Sequence, residues 1–295
     1  MKIGLIDVDS HNFPNLALMK LSAFHKAQGD DVEMCFPLQR YDRVYASKVF
    51  DNTYSKDIDW FPLTDDFRKG GTGYGLDNKL PEEIEHTYPD YSLYGITDTA
   101  YGFLTRGCPR GCPFCIVAAK EGRKSVKVAD LREWWNGQKK IKLLDPNITA
   151  CADWRDLFGQ LIDSKAQIDF TQGIDIRLLT DEKVKMLNQM NIKMLHFAWD
   201  GEEDLEPLFR KYSKAIKLNN RHLRVYVLTN FNTDLEYDLH RIYTLRDCGY
   251  DPYCMVFDKP NASKRIKHLQ RWCNNKFIFR ACKNFDDYIS SRSEK

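Results

Sequence analysis

Cys108, Cys112 and Cys115 fall within one short turn, Cys108-Pro-Arg-Gly-Cys112-Pro-Phe-Cys115. Thiolates are the ligands of iron–sulfur clusters, and a cubane needs four ligands. Three are supplied within the turn, which leaves one iron open for a small molecule. Gly107 and Gly111 let the backbone wrap closely, Pro109 and Pro113 stiffen it, and the aromatic Phe114 directly precedes the last cysteine. Zinc is the obvious rival, but structural zinc takes four closed protein ligands. The nearest further cysteine, Cys151, is 36 residues on, and no histidine adjoins the turn. Three buried structural cysteines are the other alternative, although such thiols rarely gather in a glycine-proline loop.

The elements that must hold this turn come next. Candidate strands are Ala100–Leu104, Ile141–Leu144, Ile168–Phe170, Met194–Ala198, Leu223–Leu228 and Tyr253–Phe257. Helical patterns separate them. Trp154, Leu157, Phe158, Leu161 and Ile162 follow i, i+3, i+4, i+7, i+8 behind Asp153 as cap; Val184, Leu187 and Met190 do so after Thr180. Thr233-Asp-Leu-Glu236 reads as a capping box opening a helix that stops at Gly249. Parallel neighbours need crossover helices, so six strands alternating with helices imply a parallel α/β sheet in a barrel or partial barrel. Functional residues then belong at the C-terminal ends of the strands.

The first hundred residues read differently. Lys2–Val8, Val32–Phe36 and Arg43–Ala46 are expected strands, and Pro14–Gln28 a helix turning Ala17, Leu18, Leu21 and Phe24 inward. Beyond them lie a polar and aromatic stretch, a glycine-rich loop at 69–75 and an acidic segment at 81–90. The expected organisation is a small Rossmann-like α/β lobe over residues 1–95, then a partial (β/α)6 barrel with a C-terminal helical extension over 96–295.

Hydrophobic and charged fractions of 43% and 29% fit a folded chain, not a disordered one. No apolar run approaches the length of a membrane span, and Met1-Lys-Ile-Gly-Leu-Ile-Asp reads straight into a strand without a signal-peptide core. Nine cysteines without an export signal favour a reducing, cytoplasmic setting. A net charge of +2 does not indicate a nucleic-acid partner.

The Cys108/Cys112/Cys115 spacing, with Phe114 before the third cysteine, resembles the signature of the radical S-adenosylmethionine (SAM) superfamily. The order strand, cysteine loop and repeated β/α units is similar to its partial barrel, over roughly residues 98–260. The resemblance implies a [4Fe–4S] cluster on the three thiolates, with SAM on the fourth iron. It implies reductive cleavage of SAM to methionine and a 5′-deoxyadenosyl radical, which abstracts hydrogen from a substrate the sequence does not identify. An electron donor such as flavodoxin or ferredoxin is implied as a partner.

Under that resemblance, polar residues ending the strands are the expected SAM contacts. They are Asp145 and Asn147 after the second strand, Gln172, Asp175 and Arg177 after the third, and Trp199 at the end of the fourth, with Phe114 beside the cluster. A simple Asp-Pro-Asn turn and a structural ion pair are the competing readings of Asp145–Asn147 and Asp175–Arg177, and a core position is the competing reading of Trp199. Cys248, Cys254, Cys273 and Cys282 lack a tight pair and read as core thiols rather than an auxiliary cluster.

The N-terminal lobe resembles a shortened cobalamin-binding domain, with Asp9-Ser-His11-Asn-Phe-Pro14 where such domains place a cobalt-ligating histidine. Pro14 stands in place of the glycine, and only 20 residues separate Val49 from Gly70. No corrin is expected, and a lobe that shapes the substrate site is. The alternatives are a cobalamin-dependent radical SAM methyltransferase and a non-catalytic iron–sulfur protein. Late basic residues, Lys264, Arg265, Lys267, His268, Arg271, Lys276 and Arg280, are expected on a solvated helix face, with a nucleic-acid contact surface as the alternative that no recognition module indicates.

Overall fold

A computed structural model describes residues 1–11, 13–201 and 203–293. Asn12, in the Asp9–Pro14 loop, lies outside the described residues. The chain divides into two compact units, Met1–Lys142 and Leu143–Lys295.

In the first unit, β1 (Lys2–Asp7), β2 (Asp31–Met34), β3 (Arg43–Ser47) and β4 (Phe67–Gly70) form a parallel sheet of order β2-β1-β3-β4. Helix α1 (Leu16–Ala27) starts where Asn15 accepts the Leu18 amide at 3.3 Å, so Pro14 stays outside it. Leu18 and Leu21 pack on Ile3, Leu5 and Val32. Phe24 packs against the same cluster while remaining partly buried; Ala17 is partly buried too, and the helix's buried positions include Met19, Ser22 and His25. Helix α2 (Glu82–Glu85) precedes β5 (Thr99–Gly102). The expected first barrel strand stops at Gly102. Beyond it, β6 (Thr105–Arg106) pairs antiparallel with β7 (Val126–Lys127), and α3 (Val117–Glu121) lies between. Strand β8 (Lys140–Leu143) carries the unit boundary.

In the second unit, α4 (Trp154–Ser164), α5 (Asp181–Leu187), α6 (Glu206–Ala215) and α7 (Leu235–Asp247) alternate with β9 (Gln167–Phe170), β10 (Ile192–Ala198), β11 (Leu223–Thr229) and β12 (Asp251–Val256). Neighbouring strands from β9 to β12 are parallel. Within this unit the sheet order is β12-β11-β10-β9, a parallel α/β arrangement. Helices α8 (Lys264–Asn274), α9 (Lys276–Ala281) and α10 (Phe285–Ser293) follow.

One face of the second unit's sheet meets the helices: Phe158 of α4 lies 6.5 Å from Phe170, and Phe209 of α6 lies 6.1 Å from Phe197. The other face carries Asp169, His196, Tyr226 and Tyr253, with His196 and Tyr226 stacked at 5.1 Å. Parallel strands are usually covered on both faces, and polar side chains on one of them mark it as the face that holds chemistry.

Two expected caps and one helix end differ. Asp153 precedes α4 without a side-chain cap bond. Helix α5 ends before Met190, although Thr180 does cap it through the Lys183 amide. At α7 the cap is Asp234, which accepts the Tyr237 amide at 2.8 Å, because Thr233 is turned to donate to Asp238 at 2.6 Å. Among the described residues, no helix is long and apolar enough to cross a membrane.

Candidate functional site

The cysteine turn occupies a loop closed at its base by the β6–β7 pair, where Thr105 faces Lys127 and Arg106 faces Val126. Glu121, at the end of α3, ties the loop from behind. Its Oε1 lies 2.7 Å from Arg106 Nη1, and its Oε2 accepts the Gly107 amide at 3.1 Å. Gly107 has φ +84° and lies against the Lys124 carbonyl where a Cβ would sit, so this position requires glycine. The Cys108 amide donates to Gly122 O at 3.2 Å and the Cys115 amide to Cys112 O at 3.0 Å.

Accessibility separates the trio from three of the other cysteines, while Cys35, Cys248 and Cys282 are partly exposed as well. Cys115 is exposed and Cys108 and Cys112 are partly exposed, whereas Cys151, Cys254 and Cys273 are buried. Burial pushes the Cys254 thiol up to about 12 and raises the Cys273 thiol as well, so neither is a ready thiolate. Cys254 sits in β12 and Cys273 on the apolar face of α8 with Ile266 and Leu269. Cys248 and Cys282 are partly exposed residues that end α7 and α9. Among the described residues, no three His, Cys, Asp or Glu side chains are gathered as a metal-holding group, the trio included. In number, donor type and accessibility the trio fits a cluster ligand set that leaves one iron open. Phe114 is half-buried beside Cys115.

In the second unit, the residues after the strands are linked into one polar chain. Thr149 donates its hydroxyl to Asn147 Oδ1 at 2.8 Å and accepts the Asp175 amide at 3.3 Å. Asp175 Oδ1 accepts both the amide and Nε of Arg177, at 3.1 and 2.6 Å. Arg177 Nη1 reaches Glu203 Oε2 at 2.8 Å, and the Glu203 carbonyl accepts Trp199 Nε1 at 2.8 Å. Lys183 donates to Thr149 O and Leu178 O, and its burial lowers its pKa. Asn147, Asp175, Arg177 and Trp199 are therefore brought together. Asp145 is buried beside Leu143, and Gln172 is exposed in the turn after β9.

Trp199, for which a wall of the cofactor site and a core position are the two readings, is completely buried. Its indole stacks on Phe209 at 5.4 Å, so in this structure it supports the end of β10 from the core side. Arg241 of α7 fixes that end further, donating to Trp199 O at 2.5 Å and to Leu228 O at 2.8 Å. Two site residues escaped the sequence. Glu203 pairs with Arg177 from 26 residues away in the chain. Asp200, one residue past Trp199, accepts the Leu228 amide at 3.2 Å, and burial raises its carboxyl to about 6. Asp200 was visible as an acid ending a strand; nothing local pointed to Glu203.

No family model matches the chain. Three curated proteins named tRNA-2-methylthio-N(6)-dimethylallyladenosine synthase are similar to it. The one from Flavobacterium psychrophilum is 24% identical over 194 residues, 61% of this chain and 38% of the relative. The one from Hydrogenobaculum sp. is 28% identical over 186 residues, 56% of this chain and 42% of the relative. A third, from Sulfurihydrogenibium sp., is 32% identical over 105 residues, 33% and 23%. The alignments thus span about two fifths or less of the length of these relatives. Among solved structures, the radical SAM methyltransferase TsrM from Kitasatospora setae shares the fold, with TM-score 0.50, 10% identity and coverage of 86% of this chain and 69% of that one. The cysteine turn, the parallel α/β fold and these likenesses together make the chain similar to radical SAM enzymes.

Proposed function

We propose that the chain is a radical SAM enzyme, in which Cys108, Cys112 and Cys115 hold a [4Fe–4S] cluster and leave one iron for SAM. The observation that carries this reading is the placement of the trio in one accessible, glycine-closed loop, while Cys151, Cys254 and Cys273 are sealed in the core. When bound, cluster and SAM together supply one-electron cleavage of the sulfonium and hydrogen abstraction from substrate. The protein's own task is ligation, orientation and exclusion of water. Asp145, Asn147, Gln172, Asp175 and Arg177 are the polar groups we assign to the amino acid and ribose of SAM, with Phe114 beside the cluster. Arg177, already aligned by Asp175, is the group suited to a carboxylate, because its planar fork pairs with one bidentately. A donor such as flavodoxin or ferredoxin would supply the electron, and a reducing compartment such as the cytoplasm suits free thiols. A functional division at residues 95/96 accompanies this reading.

The names of the curated relatives support an RNA substrate. The TsrM structure contains bound cobalamin as well as a [4Fe–4S] cluster, which raises a second reading, a corrin-dependent methyltransferase. We infer that the lobe holds no corrin. The C-terminal edge of its sheet is taken up by its own backbone: Asp9 accepts the Val49 and Phe50 amides at 2.7 and 2.9 Å, and Gly71 packs directly on Lys48 O. His11 is exposed. Anaerobic reconstitution with iron, sulfide, dithionite and SAM tests the proposal: 5′-deoxyadenosine is expected. A cluster whose spectrum ignores SAM would favour a non-catalytic protein, and corrin absorbance after reconstitution with cobalamin would overturn the reading of the lobe.

A further inference from the structure

Six cationic side chains meet at one cavity of the second unit, at the end of the sheet opposite the candidate SAM residues. The cavity measures about 590 Å3 and is lined by Arg221, Arg224, Arg246, Lys276, Arg280 and Lys283, with only Asp247 and Asp251 as acids. These cations come from four parts of the chain: the turn before β11, β11 itself, the last turn of α7, and α9 with the residues after it. The excess of positive charge at this one place is larger than the +2 of the entire chain.

The cations divide into a fixed set and an available set. Asp251 holds Arg224 at 3.1 Å and Lys276 at 2.5 Å. Arg246 donates to Lys283 O at 2.7 Å and lies over the rings of Tyr243 and Phe279, 4.9 and 5.3 Å from their centroids. Arg221, Arg280 and Lys283 are exposed, and none of them has an ion pair among the described residues. Gathering like charges costs repulsion that folding does not need, and a basic cleft recruits anions. Several cations spread over a cavity of this size match successive phosphates on a strand better than one small anion, and arginine is the side chain suited to phosphate.

We propose that this cavity binds the phosphate backbone of a nucleic-acid strand and holds an RNA substrate by its phosphates, away from the reacting end of the sheet. The proposal rests on the reading of RNA as substrate given above. The seven residues of β11 separate the two ends by roughly 20 Å at about 3.3 Å per residue. Contacts here would position the strand without reading its sequence.

The test measures binding of fluorescein-labelled bulk tRNA to the anaerobic holoprotein by anisotropy, over a range of salt concentrations. The triple variant Arg221→Glu, Arg280→Glu, Lys283→Glu is compared with the outer-face control Lys264→Glu, Arg271→Glu. The triple variant is expected to lose at least tenfold in affinity. Its slope of log K against log salt should fall by about three, near one per lost phosphate contact. The control should bind as the parent does. Equal binding by parent and triple variant overturns the proposal, and so does a parent that binds no tRNA. Inorganic phosphate that displaces tRNA at matched phosphate concentration would make this a small-anion site and overturn it as well. SAM cleavage by the parent, read in the same preparation, separates the two claims: its absence sinks the enzymatic reading, whereas undiminished tRNA binding by the variant sinks the cavity alone.

Discussion

Glu121 binds Arg106 through Oε1 at 2.7 Å and holds the Gly107 amide with its other oxygen. One carboxylate thereby fixes both the strand entering the cysteine turn and the turn's first backbone donor. Glu121→Ala removes a charge-assisted bond and leaves two donors unmatched, a cost of about 1–3 kcal/mol. The variant should retain less iron after gel filtration and show a lower urea midpoint. Full iron retention would mean that the turn is held elsewhere.

Arg177 is aimed by Asp175 and Glu203, so its loss should affect a ligand more than the cluster loop. Arg177→Ala is expected to weaken SAM binding by about tenfold or more, within the roughly 1.5–3 kcal/mol of a charged hydrogen bond, at unchanged iron content. Calorimetric titration of the reconstituted protein measures this. Unchanged SAM affinity would return Asp175–Arg177 to a structural ion pair.

Asp200 is destabilising at neutral pH. Burial raises its folded-state pKa to about 6, so the native chain binds the proton more tightly than the unfolded one does. Its contribution is present at low pH and is lost as pH rises from about 4 to about 6, a change of up to about 3 kcal/mol. Asp200→Asn keeps an acceptor for the Leu228 amide. It should be more stable than the parent at pH 7, with the difference vanishing near pH 4. A difference independent of pH in urea melts would contradict this.

His196 has the opposite sign. Its Nδ1 faces the Phe170 carbonyl at 2.9 Å and must therefore carry the proton that it donates. Burial lowers its pKa below the ordinary value, so the neutral ring's contribution is complete above about pH 6.5 and declines as pH falls below it. His196→Asn should flatten the melting temperature between about pH 7 and 5 relative to the parent. A parallel decline in both proteins would place the titration elsewhere.

The sheet was legible because its strands are short apolar runs bounded by polar turns. Leu223–Leu228, for example, became Leu223–Thr229, and Ile168–Phe170 became Gln167–Phe170. The cysteine turn was legible for the same local reason, since all three donors lie in one segment. Caps were less so: Thr233 and Asp234 are both good capping residues, and the choice depended on Asp238, which drew the threonine hydroxyl away. Trp199 could not be assigned from its place at a strand end, because its burial depends on Phe209 of another element. The basic cavity was invisible for the same reason. Lys276 and Arg280 read as part of a solvated helix face until β11 and α7 brought Arg221, Arg224 and Arg246 beside them.

Cluster ligation is tested most directly by iron and acid-labile sulfide measured on anaerobically reconstituted Cys112→Ala and Cys273→Ala, alongside 5′-deoxyadenosine formation. Cys112→Ala should lose cluster iron and all SAM cleavage, while Cys273→Ala, a change in a buried thiol, should keep both. Equal iron loss in the two variants, or zinc in place of iron in the parent protein, would contradict the assignment of Cys108, Cys112 and Cys115 as the cluster ligands.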